Sequence, residues 1–212
     1  VSKPGYRNLL KRYERYAPSY DRRFARYSDG TLHKALDLVP DTDGQLLDVA
    51  CGTGLFESLL RKHRPRMRIT GIDLSPQMLE RARERFVGDK QVQFMGGSAE
   101  RIDAADASYD VLVCNNAFHL VQDAPAALRE FHRVLRPGGR AIIVDWCMDY
   151  PQIVMMDLFL RMSDRQTRNI RTIEALAKLM HAAGFQVMHR ERFRVPPLWG
   201  LMALAAERPR LG

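Results

Sequence analysis

Cysteine is scarce: Cys51, Cys114 and Cys147 are the three in 212 residues, far apart and with no Cys-x-x-Cys pair. That usage excludes a disulfide framework and a structural zinc site, no metal is expected, and a reducing compartment fits. No apolar run is long enough to span a bilayer, and the opening VSKPGYRNLLKRYERY lacks the apolar core and small-residue cleavage site of a secretory signal. The expected location is therefore cytoplasmic. Internal repeats, low-complexity tracts and long linkers are also missing. What remains, 46% hydrophobic residues over this length, is enough for one substantial core.

Acidic residues are outnumbered, with a formal charge of +8, but the excess is unevenly placed. Residues 1–26 hold Lys3, Arg7, Lys11, Arg12, Arg15, Arg22, Arg23 and Arg26 against Glu14 and Asp21, which is six of the eight charges. In the same stretch Tyr6, Leu9, Leu10, Tyr13, Tyr16, Ala17 and Tyr20 recur at helical spacing. A basic helix with an apolar stripe suits either a solvated face over a docked stripe or a surface-binding role.

Beyond this segment, short apolar runs alternate with helical patterns, as a parallel sheet flanked by helices requires. Strands are expected near 45–50, 68–73, 91–95, 109–114 and 140–146. Ser75 and Pro76 signal the helix carrying Met78, Leu79, Ala82 and Phe86, and another runs from Asp123 to Pro137-Gly138-Gly139, expected as a tight turn into the fifth strand. Helices near 151–163 and 172–183, stopped by Gly184, precede FQVMHRERF and WGLMALAAE. The short link holding Pro196-Pro197 leaves no room for a crossover helix, so these last two strands are antiparallel.

The first strand runs through LLDVACGTG into Gly52 and Gly54, directly before a helix, where backbone amides can meet a ligand. The second strand ends in Asp73, about twenty residues on, where a carboxylate can accept from both hydroxyls of a ribose. A dinucleotide site needs a third glycine, but that position falls on Leu55 or Glu57, depending on register. No Gly-Lys-Ser/Thr follows either, which removes an ATPase phosphate loop.

LDVACGTG, GIDLSPQML, GGSAERI, YDVLVCNNAFH and LREFHRVLRPGGR together resemble, in order and spacing, the class I S-adenosylmethionine-dependent methyltransferases. The likeness is greatest to the branch of ubiquinone and menaquinone biosynthesis enzymes and small-molecule methyltransferases. It implies an α/β fold: a Rossmann-like seven-stranded, mostly parallel sheet with an antiparallel C-terminal strand and helices on both faces. Residues 1–34 would form an N-terminal helical lid on a methyltransferase domain of 35–212. The cofactor implied is S-adenosyl-L-methionine. Asp48, Ala50, Gly52 and Gly54 would surround its methionine part, Asp73 would hold the ribose, and Leu74 and Met78 would cover the adenine. Ser98, Ala99 and Glu100 match the segment meeting the adenine edge, Asn115 backs the methionine end, and Tyr20 would lie over the cofactor. Many relatives carry aspartate where Ser98 stands.

His119, past the fourth strand, is the candidate base, or a structural histidine. With His119, Asp145 and Trp146 are candidates for the acceptor pocket, or equally for a cap and core filling. Thiols ending three strands could converge on the cofactor, though small buried residues are the commoner outcome. The expected reaction is methyl transfer to a small-molecule or amphiphilic acceptor, with peripheral contact to an anionic membrane through the N-terminal helix. Nucleic acid is not expected, since Asn115-Asn116-Ala117-Phe118 replaces the Asn/Asp-Pro-Pro-Tyr of base-amine enzymes and no RNA-binding motif is appended. An RNA methyltransferase and a non-catalytic cofactor-binding subunit are the alternatives; the intact glycines and Asp73 speak against the latter.

Overall fold

The computed structural model describes residues 6–163 and 169–210. Helices α1 (Arg7–Tyr16) and α2 (Tyr20–Leu38) lead into β1 (Gln45–Val49), α3 (Leu55–His63), β2 (Arg68–Asp73), α4 (Pro76–Arg85) and β3 (Val92–Gly96). The second half holds β4 (Tyr109–Asn115), α5 (Ala124–Val134), β5 (Leu135–Trp146), α6 (Pro151–Ser163), α7 (Ile173–Ala182), β6 (Gln186–Val195) and β7 (Trp199–Glu207).

The strands form one sheet in the order β3-β2-β1-β4-β5-β7-β6, with β7 antiparallel to both of its neighbours. Leu46 and Leu47 on β1 are both fully buried although adjacent strand residues point to opposite faces. Both faces are covered, which is why the central strands are continuous apolar runs. Leu46, Val111, Val113 and Ile142 pack on one side with Leu36 and Phe56, while Leu47, Leu112 and Ile143 pack on the other with Phe131 and Leu176.

The helix starts follow the local chemistry expected of them. Ser75 accepts from the Met78 amide, Asp123 from Ala126 and Thr172 from Ala175, satisfying amides that a helix start leaves open.

Two expectations are corrected. Pro137-Gly138-Gly139 is not a separate turn: β5 already pairs at Leu135 opposite Tyr109, and pairing resumes at Arg140 opposite Val111. The intervening residues bulge out, Gly138 takes φ +82°, and reciprocal amide bonds link Gly138 and Gly139 to Arg208. The N-terminal stripe is also not one helix. Ala17–Ser19 form a tight 3-10 turn around Pro18, so Tyr6 to Tyr16 belong to the α1 segment and Tyr20 opens α2. Position 34, expected as the end of the lid, lies inside α2, and the next residues, Ala35 and Leu36, are buried in the core.

Candidate functional site

From β1 the chain leads outward to β2 and β3 on one side, then returns to β4 on the other. The carboxyl ends of β1 and β4 are therefore where the sheet order reverses, the place at which open α/β sheets take ligands. The loop after β1 is tied down from behind: Ala50 and Cys51 donate to the Ile72 carbonyl at 2.8 and 3.0 Å. Ala50 and Gly52 both take left-handed φ, +63° and +57°. Among the described residues a Cβ on Gly52 would meet nothing within 4 Å, whereas one on Gly54 would press on Phe86 and Ala82.

Asp73 organises the floor. Its carboxylate accepts from the Gly52 amide at 3.0 Å and the Ser75 amide at 2.8 Å, joining the glycine loop to the start of α4. Burial raises its pKa against the lowering effect of these amides.

A cavity opens here, and eight of the expected residues line it: Tyr20, Ala50, Gly52, Asp73, Leu74, Met78, Ala99 and Asn115. Tyr6, Leu9, Leu10 and Tyr13 roof it, so the apolar stripe of α1 faces the cavity while Arg7, Lys11 and Arg15 face solvent. Tyr6 is fastened at the rim: its hydroxyl donates to Glu100 Oε1 and accepts from the Gln122 amide, both at 3.1 Å. Burial pushes its pKa up to about 12.

Ser98 and Glu100 line an adjoining cleft that also touches Asp73 and Leu74. Asp48 and Gly54 lie behind the loop and do not line the cavity. Asp48 is buried, as is Glu57 in the first turn of α3. Burial holds the Asp48 carboxyl well above its usual range, with the Glu57 charge second, and pushes Glu57 up to about 7. At neutral pH the pair thus retains a proton. Asp48 Oδ1 and Asn115 Oδ1 are buried with no hydrogen-bond partner among the described residues. Such acceptors are costly unless something donates to them.

His119, Asp145 and Trp146 are brought together, but outside the cavity lining, to which the neighbouring Ala117 and Leu120 contribute. Asp145 accepts the His119 backbone amide and pairs with Nδ1, both at 2.6 Å, and the imidazole stacks on Trp146 at 4.7 Å between centroids. His119 is only 5% exposed.

Two networks escaped the sequence reading. The Thr53 hydroxyl donates to Asp21 at 2.6 Å, and Arg85 bonds both Asp21 and the Thr53 carbonyl, latching the start of α2 to the glycine loop and α4. Second, Tyr27 donates to Asn116 at 2.6 Å and accepts from Trp146 Nε1 at 2.7 Å, while Asn116 Nδ2 reaches Thr31. Asn116 lines the cavity with φ +58°. The partners are 32 to 119 residues apart, beyond any periodicity.

The thiols of Cys51, Cys114 and Cys147 are all buried. Burial raises the pKa of each, that of Cys147 to about 12 beside Asp149. None is a thiolate at neutral pH. Among the described residues no group of His, Cys, Asp or Glu could hold a metal ion.

The family described as "Methyltransferase domain" matches residues 47–143. The chain is 34% identical to a 2-phytyl-1,4-naphtoquinone methyltransferase of Thermosynechococcus vestitus, over 72% of this chain and 69% of that protein. It is 29% identical to the ubiquinone/menaquinone biosynthesis C-methyltransferase UbiE of Desulfotalea psychrophila, over 74% and 73%. Three demethylmenaquinone methyltransferases are matched over less than half of their own length. Among solved structures, a geranyl diphosphate C-methyltransferase from Streptomyces coelicolor shares the fold at TM-score 0.80 and 13% identity, over 98% of this chain and 100% of that one.

Proposed function

This chain belongs to the class I S-adenosylmethionine-dependent methyltransferases, in the ubiquinone and menaquinone C-methyltransferase branch, and from that premise we propose that it methylates a quinol-type amphiphile. The observation that carries this is the cavity itself. Its floor is a carboxylate beside a glycine loop, suited to a nucleoside, and its roof is tyrosine and leucine suited to an apolar acceptor. The named activities of the quinone-methylating relatives support the acceptor class.

The residues present fit the cofactor. Asp73, fixed by two amides, would accept from the ribose hydroxyls, and Leu74 and Met78 would cover the adenine. Ala99 would meet the adenine edge, with Ser98 and Glu100 approaching it from the adjoining cleft. The uncrowded side of Gly52 and the Asn115 oxygen would meet the amino-acid end. The cofactor, when bound, supplies a methyl group activated on a sulfonium. What the chain contributes is alignment: Tyr20 and Asn116 bound the space beyond the methionine end, and the α1 roof excludes water. Such positioning is worth roughly 7–11 kcal/mol.

Calorimetry tests the floor: S-adenosylmethionine and its demethylated product bind, and NAD does not. Transfer of labelled methyl to a demethylated quinol tests the acceptor, and labelling of RNA instead would reverse the reading. The roof is tested by Leu10→Ala/Tyr13→Ala, which is expected to weaken cofactor binding about tenfold, roughly 1.4 kcal/mol. Unchanged affinity would mean that α1 stands clear of the bound cofactor.

Buried, outside the lining and held by Asp145 through both its backbone amide and Nδ1, His119 braces the turn after β4 in this reading. His119→Asn, which keeps a donor for Asp145, is expected to hold turnover within about threefold and leave its pH profile unaltered. Disappearance of a pH-dependent limb would make His119 the base.

A further inference from the structure

A helix on a water-facing surface normally buries its apolar side and shows its charges. α6 does the reverse over 151–160. Asp157 and Ile153 are buried, while Pro151, Val154, Met155, Leu158 and Phe159 face outward. Met155, Leu158 and Phe159 are 70, 60 and 67% exposed. Over that span every exposed side chain is apolar. Single exposed apolar residues are ordinary, but a contiguous row of them marks an interaction site.

The charge around this face indicates what covers it. Along β6, Arg190, Arg192 and Arg194 alternate outward on one face of the edge strand. Arg190 is paired with Glu174 of α7, and Arg194 lies over the ring of Tyr150, the residue preceding α6. The row therefore runs along the α6 and α7 side of the sheet toward the start of the apolar helix. Among the described residues no carboxylate pairs with Arg192 or Arg194. Exposed Leu198 follows in the turn after β6, 64% accessible.

We infer that α6, with Arg192 and Arg194, is a docking surface for the headgroup boundary of an anionic phospholipid bilayer, into which Met155, Leu158 and Phe159 insert. This rests on the amphiphilic acceptor proposed above and adds where the enzyme meets it. α1 is unsuited to insertion, because its apolar stripe is committed to the cavity roof. α6 leaves the carboxyl edge of β5, the edge on which the cavity opens, and the chain beyond it returns to the rim. There the Asn169 amide donates to the His119 carbonyl at 2.7 Å and Asn169 Nδ2 donates to the carbonyl of Val121, a cavity residue, at 2.9 Å. Docking through α6 places the bilayer beside the cavity mouth.

The test is flotation of the full chain, loaded with the demethylated cofactor, on phosphatidylcholine vesicles with and without phosphatidylglycerol. The wild type is expected to float with the anionic vesicles, and less so as salt rises. Met155→Ser/Phe159→Ser is expected to weaken flotation on the order of tenfold or more. Arg192→Gln/Arg194→Gln removes the preference for anionic over neutral vesicles. All four side chains are exposed, so cofactor affinity is unchanged in both variants. No flotation of the wild type, or equal flotation of all three proteins, overturns the inference. So does a dimer in sedimentation that Met155→Ser/Phe159→Ser dissolves, because the face then belongs to a second copy. Methyl transfer to a short-chain quinol in solution is measured alongside. Flotation without such transfer would retire the acceptor reading and leave the docking surface standing.

Discussion

Replacing Asp73 by Ala is expected to cost S-adenosylmethionine affinity on the order of a thousandfold, about 4 kcal/mol. Two losses combine. The charged hydrogen bonds to ribose disappear, each worth roughly 1.5–3 kcal/mol. The Gly52 and Ser75 amides also lose their shared acceptor, so the glycine loop and the start of α4 are no longer held in register before binding. Asp73→Asn separates the two, since a single amide oxygen can serve only part of this set and the charge is gone; a loss between wild type and Ala is expected. Calorimetry with the demethylated cofactor reads the result, and circular dichroism checks the fold. A dissociation constant within threefold of wild type would place the ribose elsewhere.

The second large effect is on stability. Glu57 titrates at about 7 in the folded protein against an ordinary 4.5. Between those values the folded state keeps a proton that the unfolded state has released. Stability contributed by this proton is thus fully present below about pH 4.5 and falls as pH rises through about 7. Each pH unit of displacement is about 1.4 kcal/mol, so the whole fall amounts to about 3 kcal/mol. Asp48, also raised by burial, adds to the fall in the same direction. Glu57→Gln, a neutral residue of similar shape, should flatten the slope between pH 5 and 7 and exceed wild type at pH 8 by about 3 kcal/mol. Denaturant titration at several pH values checks this. Parallel curves for the two proteins would mean that Glu57 is ionised in the fold.

Much of the floor was legible because its signals are local. Ser75, Pro76 and Asp123 mark helix starts by satisfying amides three residues away. Gly52 and Asp73 stand at the ends of neighbouring strands, so the parallel order alone brings them within 3.0 Å. Asp48 was expected beside the methionine end, yet it lies behind the loop, paired electrostatically with Glu57, which no pattern singled out. His119, Asp145 and Trp146 were each noticed, but their mutual contact, through Nδ1 and the stacked rings, was not.

The sequence by itself determined the parallel sheet with its reversed last strand, the glycine loop, Asp73 and the nucleoside class of cofactor. Periodicity, capping and strand ends act within about ten residues along the chain, where backbone geometry is the same in any fold. Only the tertiary structure decided that α1 lays its stripe on the cavity, that Asp21, Thr53 and Arg85 close into a latch, and that α6 turns its apolar side outward. Each of those outcomes depends on which surfaces remain uncovered after the sheet has packed, and that is set by contacts between residues far apart in sequence.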